Sequence, residues 1–309
     1  MAPNEVDKTI HDSCTGQALI TAQNHSSENE LKLYAGWFCP FVQRTWITLI
    51  EKKIPYQYIE INPYHKDPEF LKLNPRGLVP TLAVPVPQLS SQPNGVLQER
   101  KIKPIYESIV IAEYLDEHYS DVSTHGPRLL PSDNDFLNAY ERARCRLWID
   151  HISTRIIPAF YRFLQHTPDK PYSIADVRAE FLGHIKTFIA EIIRHEQEIV
   201  VPDAEKGPFF LGSTFSLVDI TLIPWALRLF LIDHYKTPGG VGIPMPGEGG
   251  EAEHLWERWG TWFGAVKQRS SVMDTISDRD KYIEVYKRYA EDDTGSEVGQ
   301  ATRSGKGLP

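Results

Sequence analysis

A cysteine followed by a proline, Cys39-Pro40, is the pair in this sequence best suited to do chemistry. It lies in Trp37-Phe38-Cys39-Pro40-Phe41-Val42-Gln43-Arg44, where a β-rich stretch gives way to a helical apolar pattern. A thiol at the start of a helix faces unpaired amides and the positive end of the helix dipole, and both favour the thiolate. Arg44 adds a positive charge one turn on, from a side chain that points either to the thiol or to solvent. A two-cysteine redox site would carry its second cysteine at the position of Val42. Without it no internal disulfide forms there, and a mixed disulfide on Cys39 must be resolved by an outside thiol, of which glutathione is the abundant one. A lone cysteine is more often a small buried hydrophobe, but the strand–Cys-Pro–helix setting favours a reactive group. Cys145 sits mid-helix as a packing residue, and Cys14 in the N-terminal lead reads as idle. No His, Cys or Asp cluster has metal-ligand spacing, so no metal is expected. The sequence contains no glycine-rich phosphate loop and no Gly-x-Ser-x-Gly elbow.

The elements that must position Cys39 read as βαβαββα over about ninety residues. Strands are predicted at 31–35, 56–61, 79–84 and 101–106, and helices at 39–52, 68–73 and 107–119. Proline at the first helical position after Cys39 is permitted, because its missing N–H would be unpaired there anyway. Residues 85–100, rich in Pro, Ser and Gln, read as a loop. After a linker at 127–131 the pattern becomes helical, at about 133–166, 173–200, 216–235, 251–268 and 271–289. Pro158 should bend or break the first of these. Ser216-Leu217-Val218-Asp219 has the spacing of a capping box before an apolar helix. The glycine-rich stretch 239–250 reads as a connector. The switch of class gives two domains: 31–121 is α+β and 128–289 is all-helical, between a disordered lead at 1–30 and a disordered tail at 290–309.

Composition narrows the function classes. The formal net charge is −8 over 309 residues with no long basic run, so neither nucleic acid nor an anionic membrane surface is expected as a partner. The apolar stretch 217–232 is interrupted by Asp219, Pro224 and Arg228, and is too short to span a bilayer. Residues 1–30 are polar and lack a secretory apolar core. Three cysteines, an odd number, do not make a disulfide framework, and a reduced cytoplasmic setting is expected.

The motifs together resemble the glutathione transferases, over about residues 31–285. Phe38-Cys39-Pro40-Phe41 with Arg44-Thr45 resembles the omega class. So do Asn74-Pro75-Arg76-Gly77-Leu78-Val79-Pro80, Tyr106-Glu107-Ser108 and Glu113-Tyr114-Leu115-Asp116-Glu117. The resemblance implies a thioredoxin-like α+β N-terminal domain that binds glutathione, an all-α C-terminal domain with the second-substrate pocket, and a homodimer. It implies Cys39 as the catalytic residue and Phe41, Lys66, Val79, Pro80, Glu107 and Ser108 as glutathione-binding residues. Pro80 would follow a cis bond, Val79 would offer its backbone to the cysteinyl group, and Glu107-Ser108 would hold the γ-glutamyl end. Lys66 is the candidate for the glycyl carboxylate, although the family lysine directly precedes its Pro-Glu pair and here Asp67 does. Trp225 matches a family position lining the second-substrate pocket. His151 and Tyr161 are not expected to be catalytic. The implied activity is glutathione-dependent thiol transfer or reduction, of disulfides, dehydroascorbate or glutathionylated small molecules. A glutathionyl-hydroquinone reductase is an alternative, though it typically has Trp where Phe41 stands. A non-catalytic binding or regulatory protein of the same fold is another.

Overall fold

The computed structural model describes residues 10–65, 67–89, 97–132, 136–198, 206–236 and 242–308. They fall into two compact units, with the main division between Gly126 and Pro127 and with residues 273–278 joining the N-terminal unit.

The N-terminal unit contains α1 (Gly16–Asn24), β1 (Lys32–Ala35), α2 (Pro40–Glu51), β2 (Gln57–Glu60), α3 (Pro68–Leu73), β3 (Thr81–Leu89), β4 (Leu97–Tyr106), α4 (Ser108–His118) and α5 (Val122–His125). The sheet order is β2-β1-β3-β4, with β2 parallel and β3 antiparallel to β1, and β4 antiparallel to β3. This is a mixed four-stranded thioredoxin-like sheet. Leu33 and Ala35 point to one face, as the strand period of two requires. Tyr58, the register partner of Leu33, meets Trp46 of α2 on that side at 4.5 Å between ring centroids. Tyr34 points to the other face and stacks on Phe70 of α3 at 5.3 Å.

Helix α2 packs against α4. A buried ion pair, Lys52 Nζ to Asp116 Oδ1 at 3.0 Å, ties their ends together.

Two expectations for this unit are corrected. Residues 16–24, read as part of a disordered lead, form α1, and Cys14 just before it is buried rather than idle in solvent. The buried stripe is Ala18, Thr21 and Ala22. Its i, i+3, i+4 spacing is helical, but its small side chains give little hydropathic signal. Residues 85–89 and 97–100, read as loop, extend β3 and β4. β1 pairs with β3 only as far as Ala83, so Pro85 and Pro87 lie where β3 has β4 as its one named strand neighbour. Proline is tolerated along such an edge.

The second unit contains α6 (Phe136–His151), α7 (Ile157–Leu164), α8 (Ile174–Glu198), α9 (Leu217–Ala226), α10 (Leu229–Lys236), α11 (Glu253–Val266), α12 (Ser270–Met273, at the division), α13 (Arg279–Ala290) and α14 (Glu297–Ser304). Between α6 and α7 the chain widens into a π-helical turn, Ile152–Ile156. Pro158, the second residue of α7, has no N–H to return to the preceding turn, so the ladder opens as anticipated. The capping box is present: Ser216 accepts from the Asp219 N–H, and Asp219 from the Ser216 N–H. α9 and α10 divide one expected helix, and α12 and α13 another. The expected tail folds as α14, because Ser296 caps its N-terminus and Gly305, in the left-handed region, ends it. Among the described residues, no helix is long and apolar enough to cross a membrane.

Candidate functional site

The strand directions bring three separate segments to one edge of the sheet. β1 runs toward Ala35 and the turn into Cys39. β3 starts from that same edge, with Thr81 opposite Tyr34. β4 returns to it, with Tyr106 opposite Thr81. Cys39, Val79-Pro80 and Glu107-Ser108 are therefore gathered by register, although 68 residues of sequence separate the first from the last.

Cys39 is the N-cap residue of α2, extended in backbone (φ −76°, ψ 119°), with Pro40 as the first helical residue. Its N–H donates to the Gly36 carbonyl at 2.9 Å, closing the turn. Its thiol is part-exposed, and Sγ lies 3.8 Å from the Val79 carbonyl oxygen. The other two thiols differ: burial pushes both Cys14 and Cys145 up to about 12. Gly36 permits the tight approach, since a Cβ there would lie 3.3 Å from the Ile61 carbonyl oxygen and 3.4 Å from Val79 Cγ2.

The Val79–Pro80 bond is cis, as the resemblance implied. The chain before it is fixed by Asn74, a residue the sequence reading quoted in a motif but gave no role. Asn74 is fully buried, and its amide donates to the Leu78 carbonyl at 3.2 Å and the Thr81 hydroxyl at 2.9 Å. Its side-chain oxygen accepts from the Arg76 N–H. The signal was available: an Asn ahead of Pro-x-Gly favours a side-chain-stabilised turn.

Glu107 and Ser108 occupy the junction of β4 and α4. Glu107 is the N-cap of α4 with φ +71°, a left-handed conformation rarely held by a side-chain-bearing residue. Such outliers concentrate at ligand clamps and active sites. Its carboxylate is exposed and accepts from Arg76 Nη1 at 2.7 Å. Ser108 is buried, and its hydroxyl accepts from Arg44 Nη1 at 3.3 Å. Arg44 is therefore not turned to solvent: it is buried against Ser108, and its guanidinium lies 5.4 Å from the ring of part-exposed Phe41. Arg44 thereby joins α2 to the start of α4, beside a helix N-terminus suited to an anion.

Glu60, which the sequence reading passed over, closes the same edge from β2. Its carboxylate accepts from the Trp37 N–H at 2.8 Å and the Tyr58 hydroxyl at 2.9 Å. Burial pushes its carboxyl up to about 7.

Lys66 lies outside the described residues. Trp225 belongs to the second unit, where every residue of α9 is buried and its own side chain is 1% exposed. The pocket role read for it rests on the resemblance. His151 bonds the His184 carbonyl through Nε2, and Tyr161 is buried against Tyr289.

Residues 38–118 match the family model described as glutathione S-transferase, N-terminal domain, and residues 171–265 match glutathione S-transferase, C-terminal domain. The chain is 32% identical to glutathione S-transferase omega-1 of Sus scrofa over 65% of its own length and 68% of that protein. It is 30% identical to a probable glutathione S-transferase, parC, of Nicotiana tabacum, over 84% of its own length and 96% of that protein. Among solved structures, glutathione transferase Omega 3C from Trametes versicolor aligns with 36% identity and a TM-score of 0.67, covering 90% of this chain and 97% of that one. A rice glutathione transferase solved in complex with glutathione has the same fold, at 24% identity and a TM-score of 0.62, covering 86% of this chain and 99% of that one.

Proposed function

The chain belongs to the glutathione transferase family with an omega-like sequence, and on that premise we propose that it is a glutathione-dependent thiol transferase acting through Cys39. The observation that carries the reading is a single part-exposed thiol at a helix N-terminus, 3.8 Å from the Val79 carbonyl. A hydroxyl there would stabilise the glutathione thiolate for conjugation, whereas a cysteine thiolate there attacks a disulfide that already contains glutathione and takes over the glutathione half.

The reaction proceeds in two exchanges. The Cys39 thiolate attacks the glutathione sulfur of a glutathionylated substrate. The Cys39–glutathione disulfide forms and the substrate leaves as its thiolate. A second glutathione thiolate then attacks that disulfide at the glutathione sulfur, releasing glutathione disulfide and restoring the Cys39 thiolate. Val79 would pair its backbone with the cysteinyl unit, beside Pro80. Glu107 would take the γ-glutamyl ammonium and Ser108 the carboxylate, with Phe41 flanking the thiol. Lys66 is proposed for the glycyl carboxylate and Trp225 for the second-substrate pocket. Mixed disulfides are the proposed substrates of these two exchanges. Dehydroascorbate would take its two electrons from Cys39 and one glutathione, leaving as ascorbate and a Cys39–glutathione disulfide, and a carbon-bound glutathionyl conjugate would leave as a carbanion that takes up a proton; the second exchange is the same for all three. The proposed setting is the reducing cytoplasm, and the proposed assembly a homodimer.

The test is to incubate the protein with glutathione disulfide and weigh it. One glutathione should add at Cys39, and excess glutathione should remove it. Cys39→Ser should lose both the adduct and hydroxyethyl-disulfide reduction, while conjugation to aryl halides rises. Full disulfide reduction by that variant would refute the reading.

A further inference from the structure

Glu60 is the last residue of β2, and parallel pairing sets it beside Ala35, the last residue of β1. Its carboxylate reaches the turn that leads into Cys39. One oxygen accepts from the Trp37 N–H at 2.8 Å and the other from the Tyr58 hydroxyl at 2.9 Å. Trp37 is fixed at its other end too, its indole N–H donating to the His11 carbonyl at 2.8 Å. Trp37 and Phe38 are both buried and meet edge to face. Thus Trp37 is clamped at backbone and ring, two residues before the thiol.

The chemistry of the clamp calls for a carboxylate. Two donors meet it, one on each oxygen, which a carboxylate satisfies without a donor of its own. An amide of the same shape keeps one acceptor oxygen, so it cannot accept from both. Bonds to an ionised acceptor are also roughly twice as strong as neutral ones. The titratable groups facing Glu60 are Tyr58 from its own strand and Cys14 from the N-terminal segment, with the His11 ring against Trp37. Burial holds Tyr58 and Cys14 in their protonated, neutral forms. Among the described residues, no lysine or arginine forms an ion pair with Glu60.

We propose that Glu60 is a positioning residue for Cys39: as a carboxylate it fixes the Trp37 backbone and with it the direction from which Cys39 enters α2. The inference rests on the reading of Cys39 as the reacting thiol. Two effects of Glu60 on that thiol have opposite signs. Its negative charge opposes a nearby thiolate, whereas its hydrogen bond to Trp37 holds the thiol in its reactive place. Positioning predicts that neutralising Glu60 slows Cys39, and charge alone predicts that it speeds it.

The experiment is native alkylation of Cys39 by iodoacetamide, followed by peptide mass on both sides of pH 7 in wild type and Glu60→Gln, with thermal midpoints measured alongside. In wild type the rate should climb with pH more steeply than one ionisation allows, because the carboxyl and the thiol both titrate. In Glu60→Gln it should follow a single ionisation and fall about tenfold above neutral pH, the weight of one hydrogen bond of roughly 1.4 kcal/mol. The thermal midpoint above pH 7 should not fall, since the amide replaces a carboxylate that burial penalises. In turnover, kcat should drop with KM for glutathione unchanged. Alkylation that is unchanged or faster overturns the proposal. Should Glu60→Gln not fold, Tyr58→Phe removes one donor from Glu60 and should move the carboxyl step in the alkylation profile to higher pH; an unmoved step overturns it equally. Alkylation needs no glutathione, so a Cys39 inert to glutathione disulfide would sink the proposed function and leave this result readable. Normal turnover with unaltered Glu60→Gln alkylation would sink this inference alone.

Discussion

Arg76 Nη1 lies 2.7 Å from Glu107 Oε1, joining the turn before Val79-Pro80 to the junction of β4 and α4. The two side chains are 46% and 49% exposed. The bond therefore spans two of the three segments gathered at the Cys39 edge and remains open to solvent, where an exposed ion pair is worth at most about 1 kcal/mol. A cationic ligand group can compete for Glu107 at little cost.

That arrangement separates the roles of the two residues. Glu107→Gln should raise KM for glutathione about 10- to 100-fold, the worth of a charged hydrogen bond at roughly 1.5–3 kcal/mol, with kcat changed far less. Arg76→Met should raise KM less than about fivefold, because it removes an exposed pair. Steady-state kinetics on both variants decides the matter. A larger effect from Arg76 would make the arginine, not Glu107, the glutathione ligand.

The three thiols should be sharply unequal. Burial pushes Cys14 and Cys145 up to about 12, and Cys39 alone is part-exposed. Since the thiolate is the nucleophile, iodoacetamide at neutral pH should add one label to the native protein, at Cys39. All three cysteines should be labelled after denaturation. Intact mass and peptide mapping measure this, and a native label on Cys14 would mean that the N-terminal segment does not stay packed.

Much of the site was legible because its parts are local. Cys39-Pro40, Val79-Pro80 and Glu107-Ser108 each declare themselves within a few residues, as a helix start or a proline turn. The order of elements that carries them was read as βαβαββα, and the strand order and register that gather them are given by the structure. Glu60 was not legible. A carboxylate at the end of a strand reads as a solvated charge even on the face that Tyr58 shares, and only the tertiary approach of the Trp37 N–H shows that it holds the turn before Cys39. Helix α1 was hidden for the opposite reason, since its buried stripe is made of small side chains. The ends of β3 and β4 were obscured by Pro85 and Pro87, which read as loop residues until the reach of β1 is known.

The pair Lys52–Asp116, at 3.0 Å and 0% and 1% exposed, should show how a buried charge behaves when its partner is removed. Lys52→Met should cost about 3–5 kcal/mol, because it takes the ammonium from the Asp116 carboxylate inside the core. Replacing both, as Lys52→Met with Asp116→Leu, should recover most of that loss, since an apolar pair of similar volume is often as stable as the ion pair. Urea titration of the single and double variants tests it. A double variant no better than the single one would mean that α2 and α4 need the charges themselves for their alignment.

Asp219 is the second buried carboxylate on which part of the fold turns, and its effect should depend on pH. It accepts from the Ser216 N–H at 2.9 Å, the Ser216 hydroxyl at 2.6 Å, the Phe210 N–H at 3.0 Å and the Trp262 indole N–H at 2.9 Å. Ser216→Ala removes the cap's acceptor for the Asp219 N–H and should cost about 0.5–2 kcal/mol. Asp219→Ala should cost more, about 3 kcal/mol or above, because the Phe210 and Trp262 donors are then buried without their acceptor. Burial, outweighing these hydrogen bonds, holds the Asp219 carboxyl above the ordinary aspartate range. A folded-state value raised above the unfolded one means that the folded chain binds the proton more tightly. The group's contribution is then complete below the unfolded value and declines as pH rises through the folded one. The stability gap between wild type and Asp219→Ala should accordingly be widest in mild acid and narrow toward neutral pH, in urea titrations run across that range. A gap that widens instead would mean that the four donors outweigh burial and that Asp219 is stabilised as the anion.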